Sequence, residues 1–529
     1  MRALLVTALL IAAVLAGCSD DGLKTPGDGD VDAPASGHPV WVHRNGGIPV
    51  DATLFNGTLP SFEQRHVTTR ISGEPTIAIS RTGAVFYPAI DFDSGVPNVQ
   101  GLPRTVYFRS VDGGTIWEDY SPHLLQQDTH PTSFDPYIYG DPTTGRIFAL
   151  DMGPHVACNQ VSWSDDDGRT WITRPAACPT PVADHPSIFT APGNAMTQAL
   201  NTVGGQNPLA YPNTIFLCSN QIADVQCSMS VDGGLNWLPS QPVFVGYDVG
   251  AAAEGGDPLD ALCGSLTGHG HASFVDGTIY IGRAYCGTLV AGISRDGGLN
   301  WEQSIIASDP RYAPRGEHDV SIATDLAGNA YALWIGDEGR TVFLAQSSDQ
   351  GRTWAEPLNV TAPGVTAAKL PSLVAGAAGR IAWQYVATTT PSGWTVEDVN
   401  QTTGERDHQA EWLNATWNAY VGVSLDATTT DPVFATTTVN DVARPLKRGG
   451  CEGRCPGADS GTPGVGGMYD FLDIDFDPVS GRLWTAIVDV CTAECDEPTA
   501  DAETFERSFG AVGKQIGGTF LLDEPYPAR

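Results

Sequence analysis

Short runs of alternating apolar and polar residues, each broken by a turn, recur along most of the chain. Seven such runs begin near residues 74, 135, 185, 271, 318, 370 and 469, and the clearest extends from Pro75 to Phe86 with Gly83 at its turn. Alternation with a period of two between turn residues is typical of β-hairpins. We interpret these seven hairpins as the two inner strands of repeated four-stranded sheets.

A second pattern, Ser-x-Asp-x-Gly-x-x-Trp, occurs five times in step with these hairpins. The copies begin at Ser110, Ser164, Ser230, Ser294 and Ser347, at intervals of 54, 66, 64 and 53 residues. Such intervals fit the blades of a propeller. Ser and Asp side chains stabilise tight turns by accepting backbone N–H groups, and Gly supplies a positive φ. The pattern predicts a loop between the third and fourth strands of a blade, with its Trp buried between neighbouring blades.

Together the two patterns predict an all-β fold, with a single β-propeller over residues 39–529. We expect seven blades, with six as the alternative. Residues 41–72 precede the first inner strand and are expected to supply an outer strand that closes the ring. The sixth hairpin is followed by a remnant of the repeat, Ser424 and Asp426, and the seventh by none. A propeller gives each blade its own small core, so one domain can reach this length.

The repeat resembles the Asp-box, or BNR repeat, of the sialidase superfamily. In that superfamily the propeller has six blades, and the box lies on its rim, away from the catalytic centre. The resemblance therefore implies a structural role for all five copies, because functional sites are additions to a fold. It covers most of residues 70–500 for the fold and only fragments of the catalytic motifs.

The chain begins with the pattern of an export signal over residues 1–17, in which Arg2 precedes an apolar run. The segment Leu-Ala-Gly-Cys that ends at Cys18 resembles a bacterial lipobox, which implies a lipid on the Cys18 thiol. A simple secretory signal is the alternative. Residues 18–38 are expected to form a disordered tether after this lipidated cysteine. The predicted location is extracytoplasmic, anchored by lipid to the bacterial cell envelope, and to the outer membrane if the cell is Gram-negative.

Acidic residues outnumber basic ones by 61 to 28, for a formal net charge of −33. Nucleic acids and anionic lipid surfaces are bound by clustered basic residues, so this balance argues against both partners. It leaves cation binding open, with a solvated acidic surface as the simpler explanation. We expect a monomer that contacts the membrane through its lipid alone.

Besides Cys18 the chain has ten cysteines, an even number in a chain predicted to be exported. An oxidising compartment favours disulfides. The spacing suggests local pairs of Cys158 with Cys178, Cys218 with Cys227 and Cys263 with Cys286, followed by two Cys-x3-Cys units, Cys451/Cys455 and Cys491/Cys495. The last four are alternatively the ligands of a zinc site.

Polar residues cluster where the innermost strands begin, and in a propeller these positions meet at one mouth of the central channel. They are Glu74, Asp135, Asp184, His185, His269, His271, Glu317, His318, Asp319 and Asp470, with Asp473 nearby. Imidazoles and carboxylates suit a divalent cation, a polar sugar or general acid–base catalysis. The alternative is that they cap strand ends and satisfy backbone groups. The sequence therefore predicts a ligand site at this mouth, with a divalent cation as the only cofactor considered.

Sialidase chemistry, which the resemblance implies, needs three arginines for the sialic acid carboxylate, a Tyr nucleophile with a Glu partner and an Asp acid. Arg70 and Ile71 match two positions of the first arginine motif, and Arg283 and Arg340 are candidates without a motif. No catalytic residue is therefore assigned, and whether the chain is an enzyme stays open. Three functions remain: a propeller that binds a glycan or another polar ligand, a sialidase-type glycoside hydrolase, and a non-catalytic scaffold for other envelope proteins.

Overall fold

Antiparallel β-strands make up nearly all the regular structure of the computed structural model. It describes residues 37–91, 104–122, 135–152, 158–178, 184–203, 211–221, 224–244, 264–285, 288–312, 320–390, 415–448, 471–491 and 508–528. Within these ranges no helix is long and apolar enough to cross a membrane. The predicted signal and the lipidation site at Cys18 lie outside them.

Four of the six hydrogen-bonded sheets are simple meanders of consecutive strands. The first two contain β8 (Tyr137–Gly140), β9 (Ile147–Asp151), β10 (Asn159–Ser164) and β11 (Ile172–Ala176), and β12 (Asp184–Pro192), β13 (Asn213–Asn220), β14 (Val225–Ser230) and β15 (Gln241–Pro242). The next two contain β16 (Gly264–Thr267), β17 (His271–Ala272), β18 (Ile279–Tyr285), β19 (Thr288–Ser294) and β20 (Glu302–Ala307), and β21 (Ser321–Thr324), β22 (Ala330–Gly336), β23 (Thr341–Ser347) and β24 (Leu358–Asn359). The α-helix Ala195–Val203, α1, lies between β12 and β13.

The other two sheets are larger because segments from the start of the chain join them. One contains β25 (Ala367–Ala375), β26 (Ile381–Thr388), β27 (Thr416–Ser424), β28 (Phe434–Thr438) and β29 (Lys447–Arg448), with β1 (Val40–Arg44) and β2 (Ile48–Pro49) at its outer edge. The other contains β30 (Asp473–Phe476), β31 (Leu483–Asp489), β32 (Phe509–Gly517), β3 (Ser61–Gly73), β4 (Ala78–Ile79), β5 (Val85–Asp91), β6 (Arg104–Ser110) and β7 (Glu118–Asp119). Strand β3 pairs with β32, so an early segment closes the ring as predicted.

The architecture is an all-β propeller, as predicted. The described strands form six hydrogen-bonded sheets, which agrees with the six-bladed alternative. The expected seven blades are not confirmed. All seven predicted inner hairpins are nevertheless present as strand pairs. Two of them, β4–β5 and β30–β31, belong to the eight-stranded sheet, in which β3 bridges the two halves.

Hydrogen bonds between neighbouring innermost strands form a closed belt around the channel. In each link a side chain near one inner strand forms a hydrogen bond to the neighbouring inner strand. The donor is a backbone N–H in every link except the one from Ser372 to Asp473, where it is a hydroxyl. The links are Ile138 N–H to Thr76 Oγ1 (3.0 Å), His185 N–H to Asp135 Oδ2 (2.8 Å), Gly270 N–H to Ser187 Oγ (3.0 Å), Thr324 N–H to His271 Nε2 (3.1 Å), Leu373 N–H to Ser321 Oγ (3.1 Å), Ser372 O–H to Asp473 Oδ1 (3.0 Å) and Ile77 N–H to Asp473 Oδ2 (3.1 Å). Backbone donors that would otherwise be buried without acceptors are thereby satisfied.

The hydrophobic core is divided among the seams between neighbouring strand meanders. Middle strands are buried on both faces, so they are continuously apolar rather than alternating; β22 is an example, with every residue buried. Outer strands such as β11 are largely exposed. The seam between β4–β7 and β8–β11, for instance, contains Phe86, Tyr107 and Ile147 together with Trp171 of the second repeat. The Trp of each other repeat packs at the equivalent seam, which confirms its predicted place.

The five repeats form the loops between third and fourth strands, as predicted, and share one hydrogen-bond arrangement. In the last copy, Ser347 O–H donates to Asp349 (2.8 Å), while Ser347 Oγ accepts from Gly351 N–H (2.8 Å) and Asp349 accepts from Thr353 N–H (2.9 Å). Gly351 has a φ of +73°, and a Cβ there would lie 2.6 Å from Ile293 of the preceding meander. Local turn chemistry and the close approach of the next sheet thus explain every fixed position of the pattern.

Two predicted disulfides are present, Cys158–Cys178 and Cys218–Cys227. Cys491 is also disulfide-bonded. The predicted partners Cys263, Cys286, Cys451, Cys455 and Cys495 lie outside the described residues.

Candidate ligand site in the central channel

A cavity of about 130 Å³ lies in the channel between the innermost strands. Its wall combines aliphatic residues of β4, β21 and β25 with a set of polar and aromatic side chains. These are Tyr137, Tyr139, His269, His271, Phe274, Ser321, Thr324, Ser372, Asp473, Asp475, Phe476 and Tyr526. Among the described residues that line the cavity there is no Arg or Lys. The wall therefore offers hydroxyls, imidazoles, carboxyls and aromatic faces to a ligand.

The end of the channel where the inner strands begin carries a cluster of aromatic rings and imidazoles. The His269 ring lies 4.5 Å from the Tyr137 ring and 5.3 Å from the Phe471 ring, measured between centroids. Phe471 also contacts His185, at 5.3 Å. Burial, followed by the nearby His185, lowers the pKa of His269 to about 3, so its imidazole is neutral at physiological pH. Its Nε2 atom is buried and has no hydrogen-bond partner among the described residues, so the imidazole keeps an unsatisfied polar atom beside the cavity.

His271 lies deeper in the channel and is held by the belt. Its Nε2 accepts from Thr324 N–H at 3.1 Å and lies 2.9 Å from Thr324 Oγ1. A nitrogen that accepts from a backbone N–H carries no proton, so the imidazole must be neutral. Burial lowers its pKa to about 4, in agreement with that geometry. His271 therefore contributes a wall of the cavity while it joins two neighbouring strands.

Two carboxyls of β30 line the same cavity. Asp473 accepts hydrogen bonds from Ile77 N–H, Ile474 N–H and Ser372 O–H at 2.9–3.1 Å, and burial raises its pKa to about 6. Asp475 accepts from Phe476 N–H at 2.8 Å, and burial raises its pKa well above its usual range. Neither carboxyl has an ion-pair partner among the residues that the structure describes, so the channel is an acidic site without a basic counter-charge.

The structure assigns structural contacts to several residues predicted at the mouth. Asp135 is buried and accepts the His185 N–H, which makes it part of the belt. Glu74 and His185 both precede a proline and have φ values of +49° and +46°. Leu370 occupies the same position in its own hairpin with a φ of +55°, so this unusual backbone is a feature of the architecture rather than of polar chemistry.

The remaining predictions for the mouth divide into two groups. Asp184 is described but exposed on β12 and does not line the cavity. Glu317, His318, Asp319 and Asp470 lie outside the described residues. Of the predicted set, the structure brings His269 and His271 into the cavity wall, with His185 next to them.

Sequence reasoning missed Tyr137, Ser372, Asp475 and Tyr526 as lining residues. A signal for Asp475 was present, because Asp473 and Asp475 alternate with Ile474 and Phe476 in an inner strand, and residues two apart share a face. Nothing local marks Tyr526, which reaches the channel from the end of the chain.

The arginines that the sialidase resemblance suggested are not gathered in this cavity. Arg283 is buried on β18, near the Phe244 ring (5.8 Å) and Asp224 (3.8 Å). Arg340 follows the 3-10 helix Asp337–Gly339 and is exposed, and neither residue lines the cavity. The side chain of Arg70 is outside the described part. In that part, no group of three or more His, Cys, Asp or Glu residues is arranged to hold a metal ion.

No protein-family model and no curated protein matches the chain. Among solved structures it is similar to a protein of unknown function from Dyadobacter fermentans, with 13% identity over 86% of this chain and 98% of that chain and a TM-score of 0.39. It is also similar to the intramolecular trans-sialidase from Ruminococcus gnavus, with 11% identity over 85% of this chain and 96% of that one and a TM-score of 0.38. An α-L-arabinofuranosidase from Fusarium graminearum has 13% identity over 74% and 99% of the two chains and a TM-score of 0.36. At this level of likeness no residue role transfers, so the functional argument rests on the channel.

Proposed function

We propose that the protein is a binding propeller of the cell envelope that holds a polar organic ligand, such as the terminal unit of a glycan, in its central channel. The observation that carries the proposal is the cavity wall itself. Aromatic faces, a neutral imidazole with a free Nε2 atom, hydroxyls and carboxyls converge there. A concave, mainly apolar site with a few convergent polar groups is the usual form of a small-ligand site.

The size of the cavity favours recognition of one end of a ligand. Typical ligand pockets have volumes of about 300–1,000 Å³, and this cavity has about 130 Å³. A whole oligosaccharide does not fit that space. A terminal group can occupy it while the rest of the ligand extends out of the channel.

The charge of the cavity favours binding over sialidase-type hydrolysis. An anionic sugar needs basic side chains to recognise its carboxylate. The described part of the wall supplies two carboxyls and two neutral imidazoles and no basic side chain of the Arg or Lys type. A neutral or cationic ligand suits that environment better than a sialic acid.

The same proposal places the propeller outside the cytoplasm, tethered by a lipid on Cys18. Its support is the export signal and the resemblance to a lipobox in the sequence. Two disulfides agree with an oxidising compartment. Metabolic labelling with a radioactive fatty acid tests the anchor: label should be incorporated by the native chain and lost in a Cys18→Ser variant.

The ligand proposal is tested by incubating the full-length protein with a mixture of glycans and reading retained species by native mass spectrometry. We expect a retained glycan of unchanged mass, and at least tenfold weaker retention by a His269→Gln variant. His38→Gln is the matched control, because His38 is an exposed histidine outside the channel. Loss of a terminal sugar mass would replace the proposal with hydrolysis, and no retention by any form would favour the scaffold function.

A further inference from the structure

The carboxyls of Asp473 and Asp475 are an unusual pair because they are enclosed and no described residue forms an ion pair with them. The two residues lie two positions apart on β30, and both line the cavity together with the intervening Ile474 and the following Phe476. Asp473 is buried, and Asp475 is partly so. Enclosed carboxylates are normally paired with a cation or neutralised by a proton, because desolvation of an isolated charge is costly.

The two carboxyls differ in how completely the protein satisfies them. A carboxylate has about four acceptor positions. Asp473 uses three of them for Ile77, Ile474 and Ser372. Asp475 accepts from Phe476 N–H and from the backbone of Ile79, which leaves acceptor capacity for a ligand.

Aromatic rings complete the wall around these carboxyls. Tyr526 contacts Phe274 at 5.8 Å and Phe476 at 6.4 Å between ring centroids, and all three line the cavity together with Tyr137. The Tyr526 backbone is fixed by its N–H bond to Pro478 O (2.7 Å) and by Arg81, which donates to Tyr526 O at 2.8 Å. These contacts hold Tyr526 beside the cavity, and aromatic faces attract cations through their quadrupole.

We propose that the ligand carries an ammonium group, which enters the cavity between the Asp475 carboxyl and the rings of Tyr137, Phe476 and Tyr526. This inference rests on the proposed binding function and names the chemical class of its ligand. Amino sugars with a free amine are the members of that class that also satisfy the hydroxyl and imidazole groups of the wall. An inorganic cation fits less well, because metal ions such as Ca²⁺ take six to eight oxygen ligands and the described residues form no such group.

Charge and protonation support the same assignment. The formal net charge of −33 concentrates cations near the protein. Because burial raises the pKa of Asp473 and Asp475, a bound ammonium would favour their ionised forms and release protons. Binding should therefore become tighter as the pH rises from 5 toward 7, as long as the ligand amine remains protonated.

Isothermal titration of the full-length protein with glucosamine, N-acetylglucosamine and glucose tests the inference. We expect glucosamine to bind at least tenfold more tightly than the other two, and with proton release, seen as a different heat in two buffers of unlike ionisation enthalpy. An Asp475→Asn variant should lose that preference. Glu118→Gln is the matched control, because it removes one negative charge from the exposed strand β7 outside the channel.

The outcomes separate the inference from the function on which it rests. Equal binding of all three sugars, reduced together by His269→Gln, would overturn the ammonium assignment and leave the binding function standing. A third outcome is that methylammonium binds the native protein but not the Asp475→Asn variant, while no sugar binds either form. That result would support the ammonium site and overturn the proposal that the ligand is a glycan. If neither amines nor sugars bind, both proposals are wrong.

Discussion

The same residue type has opposite surroundings in the repeat loops and in the channel. The repeat carboxylates Asp112 and Asp349 accept backbone N–H groups of their own loops, above all those of Ile116 and Thr353, and these bonds lower the pKa of each; that of Asp349 is about 2. Burial raises the pKa of the channel carboxyls Asp473 and Asp475, and no described basic residue offsets it. The ionised carboxylate is thus stabilised in the repeat loop and destabilised in the channel.

The comparison separates structural repetition from candidate function. The Ser and Asp side chains of a repeat loop are satisfied by hydrogen bonds within the loop, and its Trp packs in a seam, so folding explains these residues without a ligand. The channel retains an imidazole nitrogen without a hydrogen-bond partner among the described residues, and two carboxyls that no described Arg or Lys pairs with. Strained or incompletely satisfied groups persist where function requires them, whereas the repeated motif is explained by folding alone.

Truncation of a repeat Trp should cause the greatest loss of stability among the substitutions proposed. Trp171→Ala should lower the free energy of unfolding by about 3–5 kcal/mol, because it opens a cavity in the seam with Phe86 and Tyr107 and removes a hydrogen bond to Tyr120 O. Urea denaturation measures the change. Ile116→Ala is the control, since Ile116 is 63% exposed and should change stability by no more than about 0.5 kcal/mol. Equal losses of stability in the two variants would contradict the placement of the repeat Trp in the seam.

Two glycines, Gly298 in a repeat loop and Gly83 in an inner hairpin, separate the cost of a left-handed backbone from the cost of a steric clash. Gly298 and Gly83 both have a φ of +85°, but a Cβ on Gly298 would lie 2.6 Å from the Phe216 ring, and one on Gly83 would meet no atom within 4 Å. We expect Gly298→Ala to cost about 2–4 kcal/mol, from the left-handed backbone plus overpacking, and Gly83→Ala only about 1–2 kcal/mol. Thermal melting of both variants checks the difference. Identical costs would mean that backbone conformation alone selects glycine in the repeat.

The half-buried imidazole of His271, which accepts a backbone N–H, makes the channel sensitive to acid. Its pKa is about 4 in the folded protein and 6.5 in the unfolded chain, so the unfolded chain binds the extra proton as the pH falls below 6.5. This group should therefore remove about 2 kcal/mol of stability between pH 7 and pH 5. Denaturation at both pH values should show a smaller loss in His271→Gln than in the native protein. An unchanged loss would place the acid sensitivity elsewhere.

Two carboxyl substitutions, Asp349→Asn and Asp475→Asn, should change the free energy of unfolding only slightly and in opposite directions. Asp349→Asn weakens charge-assisted bonds in a repeat loop and should destabilise by about 0.5–1 kcal/mol at pH 7. Asp475→Asn removes an enclosed charge and should leave stability unchanged or raise it by a similar amount. Parallel urea titrations of the two variants measure the signs. Destabilisation of equal size in both would contradict the contrast between loop and channel.

The fold was largely predictable because its signals are local. Each repeat fixes its own turn, and each inner hairpin is marked by two short strand-like runs on either side of a turn, often with a Gly such as Gly83 or Gly145. The channel was less predictable because its wall is assembled from residues hundreds of positions apart. Asp135 and His271 looked like ligands in the sequence, yet they accept backbone N–H groups of neighbouring strands, a role that depends on which strands become neighbours.

Tyr526 and Asp475 show the remaining limits of local reasoning. Tyr526 lines the cavity only because Pro478 and Arg81 hold the end of the chain across the channel, and those contacts have no local signature. Asp475 lies in an alternating strand, but alternation does not tell which face is the channel and which is the seam. The blade number likewise depends on β3, which joins two inner hairpins into one sheet.

A crystal structure of the full-length protein with a retained glycan tests the central claim most directly. We predict electron density for the terminal unit of the glycan in the channel cavity, with an amine within hydrogen-bond distance of Asp475 and a hydroxyl near His269 Nε2. Density bound to the repeat loops, with the cavity filled by water alone, would contradict the assignment of function to the channel.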